Sequence, residues 1–118
     1  MVYIENITDP INPGIYYTIK IGENQQENNQ LVKQAAINDI WFHLSAFPSP
    51  HGILITNADY CKIPKKILYR VAELVKGYSK YGFLKNVKVD YIPIKYIALT
   101  DVLGCVDIKK KPKIIIVE

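Results

Sequence analysis

The sequence predicts an α+β fold, with one domain over residues 1–118, a largely antiparallel sheet and two main helices. Three observations lead to it. Short β-branched and aromatic runs are separated by Gly and Pro, which is typical of strands joined by turns. Only two stretches have helical apolar spacing, and they do not alternate regularly with the strands, which disfavours a parallel sheet. The 118 residues, 49% of them hydrophobic, are enough for one core.

The first half of the chain predicts two hairpins with a helix between them. Its four expected strands are residues 2–7, 15–21, 38–44 and 51–56. Asp9-Pro10 and Pro13-Gly14 mark the first turn, and Phe47–Pro50 the second. Asn24 and Glu27 have the spacing of a capping box, so a helix is expected over about 25–36. Its buried residues should be Leu31, Val32, Ala35 and Ala36.

The second half predicts the longest helix and three further strands. Pro64 suits the first turn of a helix over about 64–80, because the N–H that proline lacks is not needed there. The expected buried stripe is Ile67, Val71, Leu74, Val75 and Tyr78. Gly82 lies just past the expected end. Strands are predicted at 86–92, about 103–108 and 113–118.

Composition also predicts a cellular setting. Cys61 and Cys105 lie far apart and have no CxxC partner, so we expect two small buried thiols in a reducing compartment. No apolar run approaches the ~20 residues that span a bilayer, which predicts no integral membrane association. The N-terminus lacks the basic and apolar regions of a secretion signal, and a cytoplasmic location is expected.

The charge is strongly uneven along the chain. Residues 1–61 contain two lysines and six acids, whereas residues 62–118 contain thirteen basic residues and five acids. Fourteen of the fifteen basic residues are lysine, which binds phosphate as a point charge rather than reading bases. The basic half therefore predicts a polyanionic partner such as nucleic acid or an anionic membrane surface. Ordinary solvated surface lysine is the alternative.

Two basic clusters are candidates for phosphate contacts. The first follows the exposed side of the long helix and consists of Lys62, Lys66, Arg70, Lys76 and Lys80, with one acid, Glu73. The second is a turn near the C-terminus and consists of Lys109, Lys110, Lys111 and Lys113. The alternative for the first cluster is a solvated helix face with Arg70–Glu73 and Glu73–Lys76 pairs.

The strand 38–44 carries the candidate chemistry. Alternation places Ile40, Phe42 and Leu44 on a core face, and Asp39, Trp41 and His43 on what should be the more polar face. There Trp41 could stack a nucleic-acid base, or it could instead pack under a helix. His51 could approach His43 across the hairpin. With Asp39 these histidines allow a weaker interpretation as acid–base groups; no convergent ligand set predicts a metal, and no cofactor is expected.

The hexapeptide Asn38–His43 (Asn-Asp-Ile-Trp-Phe-His) belongs to a wider set of matches. Ahead of it are Gly22, Glu27-Asn28 and Leu31, and after it come His51, Ile63-Pro64, Leu74-Val75, Tyr78-Ser79 and Lys80. Val87–Pro93, the Gly104 region and the ending Lys113–Glu118 complete the set, with Ile92 where threonine is usual. With these features the whole chain resembles the NFACT-R domain of ribosome-quality-control proteins, especially the family's free-standing members.

The resemblance implies a non-enzymatic nucleic-acid-binding module. The implied partner is RNA, such as tRNA or rRNA, or the ribosome, with DNA as an alternative and with a role in translation or ribosome quality control. It marks Asp39, Trp41, His43 and His51 as the signature surface, but it assigns no catalytic residue. Two other functions stay open: an enzyme acting on nucleic acid or nucleotide through Asp39, His43 and His51, and a protein-interaction module docking through hairpin 39–51. The oligomeric state is not predicted.

Overall fold

The computed structural model describes residues 1–9 and 11–118. Six strands form one sheet in the order β1-β2-β4-β3-β5-β8, every neighbouring pair antiparallel. Its strands are β1 Tyr3–Thr8, β2 Tyr16–Ile21, β3 Ile40–Leu44, β4 Gly52–Thr56, β5 Val87–Pro93 and β8 Lys113–Val117. The remaining elements are α1 Gln25–Gln34, α2 Lys65–Gly77, the hairpin β6 Ile97–Leu99 with β7 Val106–Ile108, and 3-10 turns at Tyr60–Lys62 and Ile94–Tyr96. The α+β prediction is confirmed.

One face of the sheet packs against α2. The central strand β3 contributes Ile40, Phe42 and Leu44, all fully buried, as the alternation predicts. From α2, Val71 and Val75 at four-residue spacing lie in the same cluster and are completely covered. Because each such side chain contributes about 1.5–3 kcal/mol when it leaves water, this layer is the main core.

The other face of the sheet is also covered, which differs from the sequence-based expectation of a polar face. Trp41 and Ile92 form a second buried cluster with Leu31 and Val32 of α1 and with Ile94, which follows β5. The hairpin β6–β7 closes this layer beside α1. The β3 side chains that alternate away from α2 therefore enter a second core rather than solvent.

The capping of α1 is confirmed, with one change. Asn24 Oδ1 accepts a hydrogen bond from the Glu27 N–H at 2.9 Å, as a capping box requires. The Glu27 carboxylate reaches one residue further back than expected and accepts from the Glu23 N–H at 3.0 Å. The helix ends at Gln34, two residues early, so that Ala36 is exposed rather than buried.

The long helix is shorter than predicted at both ends. Pro64 lies at the N-cap position, and α2 stops at Gly77, where the Lys76 carbonyl accepts from both the Ser79 hydroxyl at 2.6 Å and the Ser79 N–H at 3.1 Å. Tyr78 was expected in the buried stripe but is 43% exposed, because the helix ends before its side chain can turn towards the core; its ring lies 5.2 Å from that of Tyr3. Gly82 falls in the turn that follows.

Sequence analysis missed β6 and misjudged the thiols. The predicted strand 103–108 begins only at Val106, because residues 100–105 form the turn between β6 and β7, with Gly104 at φ +80°. Cys105 lies in that turn and Cys61 in a surface 3-10 turn, so both are exposed, free thiols rather than core residues. Within residues 1–9 and 11–118, no helix is both long and apolar enough to cross a bilayer.

Candidate nucleic-acid interface

Trp41 lies inside the second core and does not present its ring to solvent. It is 2% exposed, its indole Nε1 donates to His51 Nδ1 at 3.3 Å, and its ring stacks on that of His43 with centroids 5.5 Å apart. A base cannot reach this ring in the folded protein. The prediction of a stacking platform is therefore wrong, and packing beneath α1 and β6–β7 is the reason.

His51 joins four segments of the fold. Its N–H donates to the Asn28 side-chain oxygen at 3.0 Å, and its carbonyl accepts from the Gly22 N–H at 3.1 Å. A Cβ at Gly22 would lie 2.2 Å from that Asn28 oxygen, so only glycine fits there. Burial, and to a smaller degree the nearby His43, lowers the pKa of His51 to about 4, while a hydrogen bond with the Gly104 backbone opposes the change. At neutral pH, His51 is an uncharged structural residue.

The histidines meet as predicted, but Asp39 does not complete an acid–base group with them. The rings of His43 and His51 are 5.1 Å apart and nearly perpendicular. Asp39 is buried, and its carboxylate accepts from the Ala36 N–H at 2.9 Å; burial raises its pKa. His43 is partly buried, its Nδ1 lies 2.6 Å from the Leu44 carbonyl, and burial lowers its pKa. Among the described residues, no three His, Cys, Asp or Glu side chains are placed to hold a metal ion.

Most of the basic face predicted for α2 is occupied by internal partners. The Arg70 guanidinium binds Glu5 through Nε and Nη2, and Glu73 through Nη1, all at 2.8 Å. Lys76 is only 8% exposed, and its Nζ donates to a carbonyl at the C-terminus at 3.3 Å, so it does not lie on the surface. Lys62 has Asp59 at 3.8 Å. The Arg70–Glu73 pair expected as an alternative is confirmed.

Two members of the α2 cluster keep free ammonium groups. Lys66 and Lys80 are exposed, and neither has a carboxylate within 4.0 Å in the described part of the chain. Lys80 lies beyond the helix end at Gly77, so the two do not continue one helical stripe. The continuous phosphate-binding face predicted for α2 is therefore absent.

The C-terminal lysines contribute to a different feature, a groove of about 520 Å³ where β3, β4, β5 and β8 reach the same end of the sheet. Four lysines line it: Lys95, Lys110, Lys111 and Lys113. Two tyrosines, Tyr60 and Tyr96, line it as well, together with the polar side chains of Asn38, Thr56 and Asn57 and one acid, Asp59. Lys109 is exposed beside the groove, and its N–H donates to the Tyr96 carbonyl at 2.8 Å.

Within this lysine groove, ammonium groups lie over aromatic rings. The Nζ atoms of Lys95 and Lys110 are 5.3 and 5.1 Å from the centre of the Tyr96 ring, and that of Lys113 is 5.2 Å from the Tyr60 ring. Across residues 1–9 and 11–118, none of the groove lysines has a carboxylate within 4.0 Å. Four positive charges without an ion-pair partner among the described residues therefore share a small concave site with one carboxylate, that of Asp59, which pairs with Lys62 instead.

Burial raises the pKa of Tyr60 to about 12, with smaller contributions from Tyr91 and Cys61. Its phenol therefore stays uncharged at neutral pH and offers a donor as well as a ring. Sequence analysis missed Tyr60, Lys95 and Tyr96. The interleaving of lysine with aromatic residues in Tyr60-Cys61-Lys62 and Lys95-Tyr96 was the available signal.

Comparison with known proteins gives a consistent assignment. A family model described as "NFACT protein RNA binding domain" matches residues 6–108. Coiled-coil domain-containing protein 25 of Mus musculus is 39% identical over 80 residues, which are 65% of this chain and 38% of that protein. The same protein of Danio rerio is 35% identical over 82 residues, 65% of this chain and 39% of the relative. The match thus spans well under half of these curated relatives.

The fold also occurs among solved structures. The C-terminal part of the fibronectin/fibrinogen-binding protein from Streptococcus suis superposes with a TM-score of 0.75 at 23% sequence identity. The match covers 97% of this chain and 45% of that one. At this identity the likeness concerns the arrangement of helices and strands.

Proposed function

The chain belongs to the NFACT RNA-binding domain family, and from that premise we propose that it is a non-enzymatic module that binds RNA through the lysine groove. The observation that carries the proposal is the set of four groove lysines without carboxylate partners, gathered around two tyrosine rings. Lysine binds phosphate oxygens without reading sequence, so the contacts fix the RNA backbone first.

The remaining predicted residues divide into two groups. Lys66, Lys80 and Lys109 are exposed and supply outlying phosphate contacts in this proposal, and Lys62 joins them by leaving its exposed pair with Asp59. Asp39, Trp41, His43 and His51 support the fold beneath the surface, and the internal partners of Arg70 and Lys76 remove both from the interface. In this proposal the RNA therefore binds at the lysine groove at the end of the sheet rather than along strand β3.

We place the partner among the structured RNAs of translation, tRNA or rRNA, and the protein in the cytoplasm. The support is the family assignment together with a surface that suits phosphate and is indifferent to base sequence. A role in ribosome quality control belongs to the same proposal. DNA is the competing polyanion. A DNA duplex of the same length as the RNA, included in each binding assay, distinguishes DNA binding from RNA binding.

The test is binding of labelled tRNA at two salt concentrations, followed by fluorescence anisotropy. The variant Lys110→Gln/Lys111→Gln should weaken binding and lower the log–log salt slope by about 0.7–0.9 for each phosphate that is no longer neutralised. The matched control is Lys33→Gln/Lys85→Gln, which removes the same charge from exposed positions outside the groove. Equal weakening by both double variants, or no tRNA retained at low salt, would contradict the proposal.

Two separate experiments, RNA cleavage and protein capture, test the two competing functions. Hydrolysis of the bound RNA that His43→Gln abolishes would show an enzyme. A protein partner captured through hairpin 39–51, and retained after nuclease treatment and high salt, would show an interaction module. The proposal predicts that the bound RNA stays intact. It also predicts that captured protein is lost after nuclease treatment and at high salt.

A further inference from the structure

The lysine groove has the size of a small-molecule site rather than that of a surface for a double helix. Its volume of about 520 Å³ falls within the ~300–1,000 Å³ of ordinary ligand pockets. Buried Ile92 and Pro93 line it beside the lysines, so it has an apolar part as well as a charged one. An RNA duplex presents phosphates and sugars on its outside and keeps its base faces stacked within. A single nucleotide can enter such a groove, whereas a base pair cannot.

Aromatic rings and positive charges lie next to each other in the groove. The Lys110 ammonium lies 5.1 Å from the centre of the Tyr96 ring, and Lys113 stands in the same relation to Tyr60 at 5.2 Å. A nucleotide joins a flat base to a phosphate through one sugar. A base that displaces a lysine side chain from the tyrosine face keeps its phosphate within reach of that same flexible side chain. Only an unpaired base has a free face to stack.

An uncommitted amide lies at the same site. Asn38 is exposed, and its side chain makes no hydrogen bond within residues 1–9 and 11–118. Asn57, the other amide of the groove, is by contrast engaged, since it accepts from the Tyr16 N–H at 3.1 Å and donates to the Gly14 carbonyl at 2.8 Å. A free carboxamide offers both donors and an acceptor, which is what the hydrogen-bonding edge of an unpaired base requires.

We infer that the lysine groove binds one unpaired nucleotide of an RNA strand, with its base against Tyr96, its flanking phosphates on Lys110 and Lys113, and its edge on Asn38. This inference rests on the proposed function and specifies its ligand. The domain then favours loops, bulges and strand ends over continuous duplex.

The first experiment compares a labelled single-stranded RNA with the same strand in a blunt-ended duplex. Wild-type protein should bind the single strand more tightly at equal salt. Tyr96→Leu keeps apolar bulk but removes the aromatic face, and it should weaken single-strand binding about tenfold while leaving duplex binding unchanged. Tyr78→Leu is the matched control, because Tyr78 is exposed outside the groove, and it should change neither affinity.

The second experiment uses a variant that cannot disturb the core. Asn38→Ala lies on the surface, and it should weaken single-strand binding severalfold without changing the thermal midpoint. Uridine 5′-monophosphate should compete for the groove better than uridine, because it adds a phosphate for Lys110. Competition by the nucleotide that Tyr96→Leu does not affect would overturn the inference.

The outcomes separate the inference from the function on which it rests. Equal affinity for single strand and duplex, with no effect of Tyr96→Leu or Asn38→Ala, overturns the inference and leaves RNA binding intact. Absence of all RNA binding in wild type at low salt overturns both. A poly-glutamate peptide that competes as well as single-stranded RNA also overturns the inference, since the groove would then select charge alone.

Discussion

Replacing Trp41 with alanine should destabilise the domain severely rather than impair an RNA contact. The side chain is 2% exposed and packs with Ile53 and Ile92 of the sheet and with Leu31 of α1. Truncating a buried tryptophan costs about 3–5 kcal/mol through lost transfer free energy and the cavity left behind. For a chain of this length that corresponds to a fall of roughly 12–20 °C in the thermal midpoint.

The same substitution also removes the partner of a buried histidine. His51 Nδ1 accepts from the Trp41 indole at 3.3 Å, and His51 is itself 2% exposed. Trp41→Phe keeps an aromatic ring but provides no donor, so it removes this hydrogen bond together with only part of the packing. We expect Trp41→Phe to cost about 1–3 kcal/mol, less than Trp41→Ala.

The assay is urea unfolding followed by far-UV circular dichroism, since Trp41 is the only tryptophan and its fluorescence disappears in both variants. Phe83→Ala is the control, because Phe83 is 79% exposed and its truncation should change the unfolding free energy by no more than about 0.5 kcal/mol. A destabilisation below about 1 kcal/mol in Trp41→Ala would refute the reasoning. So would a folded Trp41→Ala protein that binds RNA more weakly than wild type.

Three further predictions concern charge and close packing. Arg70 holds the pKa of Glu5 at about 2 in the folded protein, below the ordinary value of 4.5. The stability that this pair supplies is therefore present above about pH 4.5 and is lost as the pH falls towards 2. In Glu5→Gln, the unfolding free energy should depend less steeply on pH between 4.5 and 2. Gly22→Ala drives a Cβ against the Asn28 side chain and should cost about 2 kcal/mol or more in urea unfolding. Lys76→Met should leave tRNA affinity unchanged at low salt, because this ammonium is buried against a backbone carbonyl.

The strands and helices were predictable because their signals are local. Alternation in β3 separated Ile40, Phe42 and Leu44 correctly from Trp41 and His43. What alternation does not show is whether a second layer covers the other face, because this depends on how α1 and β6–β7 return to the sheet. The polar assignment of that face was wrong for this reason.

Charge on a helix was less predictable than its apolar stripe. Arg70 is on the side that periodicity indicated, but its partner Glu5 is 65 residues away in β1, and nothing local to either residue shows the pair. The lysine groove likewise draws Tyr60, Lys95 and Lys110 from separate segments. Of its residues, the sequence marked Lys110, Lys111 and Lys113 as a basic cluster, and Asn38, Ile92 and Pro93 as part of the family pattern.

The network of Gly22, Asn28, Trp41 and His51 has a consequence for how such chains are compared. Its members are buried, so two chains that share these residues share a fold. The match says little about which ligand each chain binds. Two homologues can agree at every one of these positions and still differ in their groove lysines. Ligand preference is then free to diverge while the identifying motif stays unchanged, and predictions of specificity should be drawn from the groove.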